Sequence, residues 1–151
     1  MNEARFWARV RKAIKAYPVS EAKKLSDAFT KGTADCAYGV DGVSGFLELK
    51  YTEWPKRVDT TIVVDLSEEQ RNWLEDWCRA RVRAQVLLGV DQDWFLIHVH
   101  EVPLAIEKDK PPRMTRFQLE AIRQDGRAGT LKDLGTRLPA LLAEQLDPVL
   151  D

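Results

Sequence analysis

Apolar residues recur at helical spacing in the first stretch of the chain. Phe6, Trp7, Val10, Ile14 and Tyr17 fall on one stripe, which predicts a helix over residues 3–17 that Pro18 stops. Glu3 stands four residues before Trp7 and seven before Val10, so it belongs to the apolar stripe and not to the basic face. An acid aimed inward at a helix start is either a partner of the helix dipole or part of a site. The period then changes. Residues 25–29 read as a short strand, Gly32-Thr33 as a turn, 35–40 as a strand, Asp41-Gly42 as a hairpin turn and 43–51 as the next strand. In that last strand Leu47, Leu49 and Tyr51 point one way, and Phe46, Glu48 and Lys50 the other. An acid and a lysine therefore share one face of an otherwise apolar strand.

Residues 53–60, with Trp54-Pro55, are polar and read as a loop, and 62–64 as a brief strand. Ser67 with Gln70 three residues on has the form of a capping box and opens a second helix, whose buried stripe is expected to be Trp73, Leu74, Trp77 and Cys78. Residues 84–90 and 94–99 read as strands joined by Asp91-Gln92-Asp93, while Pro103, Pro111 and Pro112 mark irregular chain. The remainder, rich in leucine (Leu131, Leu134, Leu138, Leu141, Leu142), reads as a helical tail that completes the core or forms a dimer contact. No internal repeat is evident. This order predicts an α/β fold, a central mixed sheet flanked by helices. A single domain is expected over residues 1–151, with its core at about 1–100 and a helical C-terminal extension at about 101–151.

Composition narrows the class. Hydrophobic residues make up 44% and charged residues 31% of the 151, the balance of a soluble globular chain. No apolar run is long enough to span a bilayer, and Arg9, Arg11 and Lys12 follow Phe6 and Trp7 too soon for a signal peptide, so the cytosol is the expected compartment. Cys36 and Cys78 are expected to be buried thiols, since two cysteines alone cannot make a structural zinc site. A net charge of −1 argues against coating nucleic acid by bulk charge, but leaves room for a local basic groove. Basic residues cluster at Arg5, Arg9, Lys12 and Lys15, at Lys50, Lys56 and Arg57, and at Arg79, Arg81 and Arg83.

Hydrolysing a phosphodiester requires charge neutralisation at phosphate, an activated water and a stabilised leaving oxygen, which divalent ions held by carboxylates can supply. Magnesium takes one or two carboxylates and keeps several waters. Asp35 at the start of one strand and Glu48 on its hairpin partner are candidate ligands, together with the Leu49 backbone carbonyl. Lys50, on the Glu48 face, is placed to position a water or hold a phosphate oxygen. Two other features carry weaker chemistry. His98 and His100 share a strand face and read as a structural pair. Trp54 with Lys56-Arg57 reads as an ordinary loop, with stacking and charge pairing to nucleic acid as its alternative role.

The run Lys31-Gly32-Thr33-Ala34-Asp35, the hairpin, and Gly45-Phe46-Leu47-Glu48-Leu49-Lys50-Tyr51 resemble the core of PD-(D/E)XK nucleases, above all the small VRR-NUC and Holliday-junction-resolvase-like proteins carried by bacteriophages. Leu66-Ser67-Glu68-Glu69-Gln70-Arg71-Asn72-Trp73-Leu74 resembles the helix that follows their metal site. The resemblance implies a restriction-endonuclease-like core over roughly the first two thirds of the chain. It implies that Asp35, Glu48 and the Leu49 carbonyl hold metal and that Lys50 orients the attacking water. It points to Glu3, or in its place Glu21 or Asp27, as an acid joining the site, and to Gln70 as its support. Ala34 stands where the family usually has proline. The function so implied is that of a Mg²⁺-dependent DNA endonuclease, with Mn²⁺ as substitute metal and branched DNA as a candidate substrate. It would work as a homodimer, in the host cytoplasm if phage-encoded. The rival reading is a non-catalytic DNA- or protein-binding module on the same scaffold.

Overall fold

A computed structural model of the chain describes residues 1–26 and 30–144. The first helix, α1 (Glu3–Lys15), is capped by the Asn2 side chain, which accepts from the Arg5 N–H, and it carries Glu3 in its first turn and Lys12 and Lys15 in its last, matching its dipole. It buries Phe6, Val10, Ala13 and Ile14. The first strand, β1 (Ser20–Lys24), comes earlier than the expected 25–29. Only Ala22 of its five residues is buried, so this edge strand shows no apolar alternation to read. Leu25 and Ser26 lie outside any strand, and residues 27–29 lie outside the described residues.

The hairpin of β2 (Cys36–Val40) and β3 (Val43–Thr52) forms as expected, with Asp41 and Gly42 both at positive φ, 50° and 83°. Then follow β4 (Ile62–Val63), α2 (Glu68–Arg79), β5 (Arg83–Val90) and β6 (Asp93–His98). The stretch expected to be a helical extension holds more than helices. It contains β7 (Arg113–Met114), α3 (Arg116–Gln124), β8 (Ala128–Thr130) and α4 (Leu134–Ala143), and residues 145–151 lie outside the described residues. The main sheet runs β1-β2-β3-β5-β6-β8, and β4 pairs with β7 in a small second sheet. Among its pairings only β3–β5 is parallel, and all eight residues of β5 are buried, as expected for a strand covered on both faces.

Helices cover both sides. On one face Phe6, Val10 and Ile14 of α1 and Leu134, Leu138 and Leu142 of α4 pack with Leu47, Leu49 and Leu87. On the other, Leu74 of α2 and Leu119 and Ile122 of α3 pack with Val86, Leu88 and Ile97. The C-terminal leucines thus complete the core and do not form a spare apolar surface. The α2 stripe also differs from expectation. Arg71 and Leu74 are its buried residues, Trp73 is half-buried, and Trp77 and Cys78 are exposed. Arg71 tolerates burial because its guanidinium donates to the carbonyls of Val99, Val102 and Pro103. Arg83, expected on a basic surface cluster, instead donates to the carbonyls of Leu141, Leu142 and Glu144 at the end of α4.

One glycine ties the segment before β2 to α2. Gly32 has φ +82°, and a Cβ there would lie 2.4 Å from the backbone carbonyl of Glu69 and 2.7 Å from the Gln70 nitrogen. The turn therefore rests directly on the first turn of α2. Gly32→Ala is expected to lower the unfolding free energy by about 1–3 kcal/mol for the left-handed backbone alone, with more from the overlap. Gly39 in β2 has nothing within 4 Å of its Cβ position, so Gly39→Ala should be close to neutral. Urea unfolding of the two variants checks this, and equal midpoints would show that the turn does not need to seat on α2.

Candidate active site

The site begins where β2 stops short of its neighbour. Cys36, the first residue of β2, pairs with Leu47, so β3 runs on alone along that edge from Glu48. The Leu49 N–H is left without a strand partner there, and the Asp35 carboxylate takes it, with Oδ2 at 2.8 Å. In an extended strand the N–H and C=O of one residue share an edge, so the Leu49 carbonyl belongs to the same side as Asp35. Asp35 is thereby fixed next to Glu48 by a main-chain bond and by the turn seated on α2.

Glu48 is the most constrained residue of the group, at 1% exposure in the middle of the sheet. Gln70 Nε2 donates to its Oε1 at 3.1 Å, and Lys50 Nζ stands 3.6 Å from the same oxygen. Burial first, and then the adjoining Asp35 carboxylate, push the Glu48 pKa up to about 9, against a smaller opposing pull from Lys50. Its Oε2 is buried with no hydrogen-bond partner. Its acidic neighbour Asp35 offers acceptors, so this oxygen is satisfied by a proton on one of the two acids or by a cation. Two carboxylates and a backbone carbonyl are hard oxygen donors, so the residues present fit a small divalent ion such as Mg²⁺ or Mn²⁺.

Gln70 serves two ends at once. Its Oε1 accepts from the Ser67 N–H at 3.0 Å, and its N–H donates to Ser67 Oγ at 3.1 Å, closing the capping box. Its amide nitrogen remains free to hold Glu48. The helix cap and the site support are therefore the same side chain.

Beside Lys50 opens a cleft of about 200 Å³, walled by Glu3, Tyr51, Thr52, Val63 and Asp65. Glu3 thus reaches the cleft, but it is exposed, and among the described residues no three His, Cys, Asp or Glu gather as a metal-holding group. Glu21, the alternative acid, is engaged by Lys15 at 3.4 Å and by its neighbour's backbone, the Ala22 N–H. Asp27 lies outside the described residues. Asp65 is a wall residue that sequence reasoning missed; it follows a two-residue strand too short to show which way its side chains point.

His98, His100 and Trp54 make contacts within the fold. His98 ends β6 and bonds Gln85 at 3.2 Å, while His100 lies in the short 3-10 turn Val99–Glu101 with its ring stacked on His98, so the two do not share a strand. Trp54 donates to Asp93 at 2.8 Å under the Arg116 guanidinium, so its ring is anchored. Cys36 and Cys78 are both free thiols; Cys36 is buried as expected, whereas Cys78 is exposed.

The raised pKa of Glu48 has a measurable sign. The folded protein holds its proton more tightly than an unfolded chain whose glutamate titrates near 4.5. The stability this contributes is complete below about pH 4.5 and is lost as pH rises toward about 9. Glu48→Gln cannot ionise. In metal-free buffer its melting temperature should change less between pH 5 and pH 9 than that of wild type, and should be the higher of the two at pH 9. Parallel pH dependence in both proteins would show that Glu48 is not held protonated.

No protein-family model and no curated protein matches the chain. A solved structure does: Hjc from Archaeoglobus fulgidus, a Holliday junction resolvase from an archaeal hyperthermophile. It superposes with a TM-score of 0.52 at 15% sequence identity, covering 79% of this chain and 89% of that one. The chain therefore has a fold similar to that of a Holliday junction resolvase, a mixed sheet flanked by helices.

Proposed function

We propose that this chain is a Mg²⁺-dependent DNA endonuclease of the PD-(D/E)XK kind, similar to the VRR-NUC-like resolvases of bacteriophages, and that it cuts branched DNA. The observation that carries the reading is Glu48: a carboxyl group withdrawn from water, with one orphaned oxygen, beside a second fixed carboxylate and a lysine. Burying such a group in a sheet is unfavourable unless something compensates, and a cation between Asp35 and Glu48 would do so. The fold shared with a Holliday junction resolvase supports the same reading.

Each residue then has a part. Asp35, held by the Leu49 N–H, keeps its second oxygen for the metal. Glu48 would have to give up its proton to hold a metal, so metal affinity should rise with pH. The Leu49 carbonyl would serve as the third ligand. When bound, the metal neutralises charge on the scissile phosphate and acidifies a coordinated water. Lys50, kept upright by its contact with Glu48, orients the attacking water or takes a phosphate oxygen. Gln70 prevents the Glu48 carboxylate from turning away. Glu3 and Asp65 stand on the wall where the leaving strand or a further cation would pass. Two strands of a branch call for two cuts, so a homodimer with two such sites is part of the proposal.

Labelled four-way junction, flap, duplex and single-stranded DNA, incubated with Mg²⁺ and with EDTA, test the reading. Cleavage should require the metal, be met by Mn²⁺ as well, and favour the branched substrates. Asp35→Asn, Glu48→Gln and Lys50→Ala should each slow cutting by at least about 100-fold, with Lys50→Ala retaining much of the DNA binding. Mg²⁺ should raise the melting temperature of wild type, and by less in Asp35→Asn and Glu48→Gln, because metal binds the folded state alone. An equal Mg²⁺ response in all three, with no cleavage of any substrate, would overturn the metal site and favour the non-catalytic module. Light scattering at micromolar concentration should give twice the monomer mass of 17.3 kDa; an active monomer would refute the dimer.

A further inference from the structure

Thr52, at the end of β3, and Val63, in β4, both line the cleft beside Lys50, and the loop over residues 53–61 joins these two walls. Both roots of this loop are fastened. At one, the Trp54 N–H donates to Asp91 at 2.8 Å and its indole N–H to Asp93 at 2.8 Å, with the Arg116 guanidinium 4.4 Å above the ring. At the other, Arg113 donates to Thr61 through Nε at 2.6 Å and Nη2 at 3.2 Å. Between the roots, the Thr60 N–H closes a turn onto the Arg57 carbonyl at 3.2 Å.

What the fastened loop holds out to solvent is charge. Lys56, Arg57, Val58 and Asp59 are all exposed, and Lys56 makes no ion pair among the described residues. The Arg57 side chain pairs with Asp59 alone among the described residues, at 3.6 Å and with its side chain 81% exposed, a contact of the kind that contributes little to stability. The fold thus orders two adjacent cations without using them for its own packing. They are carried by the loop whose two ends line the cleft beside Lys50, and a pre-ordered loop loses little entropy on gripping a ligand.

We propose that the 53–61 loop is a clamp for the DNA backbone, in which Lys56 and Arg57 bind phosphates of a duplex arm flanking the one in the cleft. The proposal rests on the nuclease reading above, and supplies the phosphate contacts that Asp35, Glu48 and Lys50 do not. Loop cations of this kind set affinity and register and carry no base specificity.

Fluorescence anisotropy with a labelled duplex and a labelled four-way junction tests it, in EDTA and again with Ca²⁺, across a series of salt concentrations. The double variant Lys56→Ala/Arg57→Ala should bind about tenfold more weakly near 0.1 M salt, and the slope of log affinity against log salt should fall by roughly two, about 0.9 for each phosphate that is no longer neutralised. Lys56→Arg/Arg57→Lys should keep the wild-type slope. Arg79→Ala, an exposed cation at the C-terminal end of α2 before β5 begins, should also keep it. Melting temperatures of all variants should match wild type. If wild type binds and cuts DNA but the double alanine variant retains the wild-type slope, the clamp is refuted and the nuclease reading stands. If wild type binds no DNA in EDTA or Ca²⁺ and cuts none in Mg²⁺, both fail together.

Discussion

A carboxyl group kept from water in the middle of a β-sheet organises this molecule. Glu48 alternates in register with the apolar residues of β3 and cannot reach solvent without unpairing the strand. Burial disfavours its charge, and the compensation among the described residues is one amide donor and a lysine at 3.6 Å. Everything nearby is arranged around that deficit. β2 starts late enough to leave the Leu49 N–H for Asp35, and Asp35 adds a second carboxylate where a purely stabilising arrangement would place a donor. The proposed cation would relieve this electrostatic deficit, which the rigid sheet otherwise keeps in place.

The support for Glu48 depends on small residues and shared groups rather than on bulk packing. Gly32 allows the segment before Asp35 to lie directly on the backbone of Glu69 and Gln70. The start of α2 and the start of β2 are thus held to each other, and the amide that caps the helix also reaches Glu48. A single side chain couples helix geometry to ligand orientation. Shifting the cap would move Gln70 Nε2 away from the carboxylate, so the site and the helix start form one unit.

Much of this is legible in the sequence because it is periodic or local. Asp41-Gly42 marks the hairpin, the alternation of β3 puts Glu48 and Lys50 on one face, and Ser67 with Gln70 forms the helix cap. Other features depend on partners distant in the chain. β1 is polar because it is an edge, so Ser20–Lys24 has no pattern to show. β8 is three residues long and exists as a strand because β6 offers it an open edge. Arg83 reads as a surface cation and nothing in the local pattern marks Arg71 for burial, yet each caps carbonyls that other segments bring to it. Asp65 enters the cleft wall through the path of β4, whose direction no two-residue strand can reveal. The two roles of Gln70 compete when read from the sequence, whereas an amide has an oxygen for one and a nitrogen for the other.

The net charge of −1 looks at first unsuited to a polyanionic partner. Net charge, however, acts over distances that salt screens within about 10 Å, so the local arrangement decides what is attracted. Here the charges are unevenly placed. Glu3, Asp65 and Lys50 line the cleft, Asp35 and Glu48 adjoin Lys50, and Lys56 and Arg57 stand exposed on the loop that joins two of the cleft walls. On the nuclease reading, the carboxylates that stay ionised without metal would repel phosphate, while Glu48 keeps its proton and the loop cations act alone. A divalent ion held by Asp35 and Glu48 would displace the Glu48 proton, offset the charge of both carboxylates and make the site more attractive to phosphate. If the nuclease reading holds, an order of events follows from that electrostatics: the loop cations would hold a phosphate backbone before metal binds, and a phosphate would approach Asp35 and Glu48 only once the cation is in place.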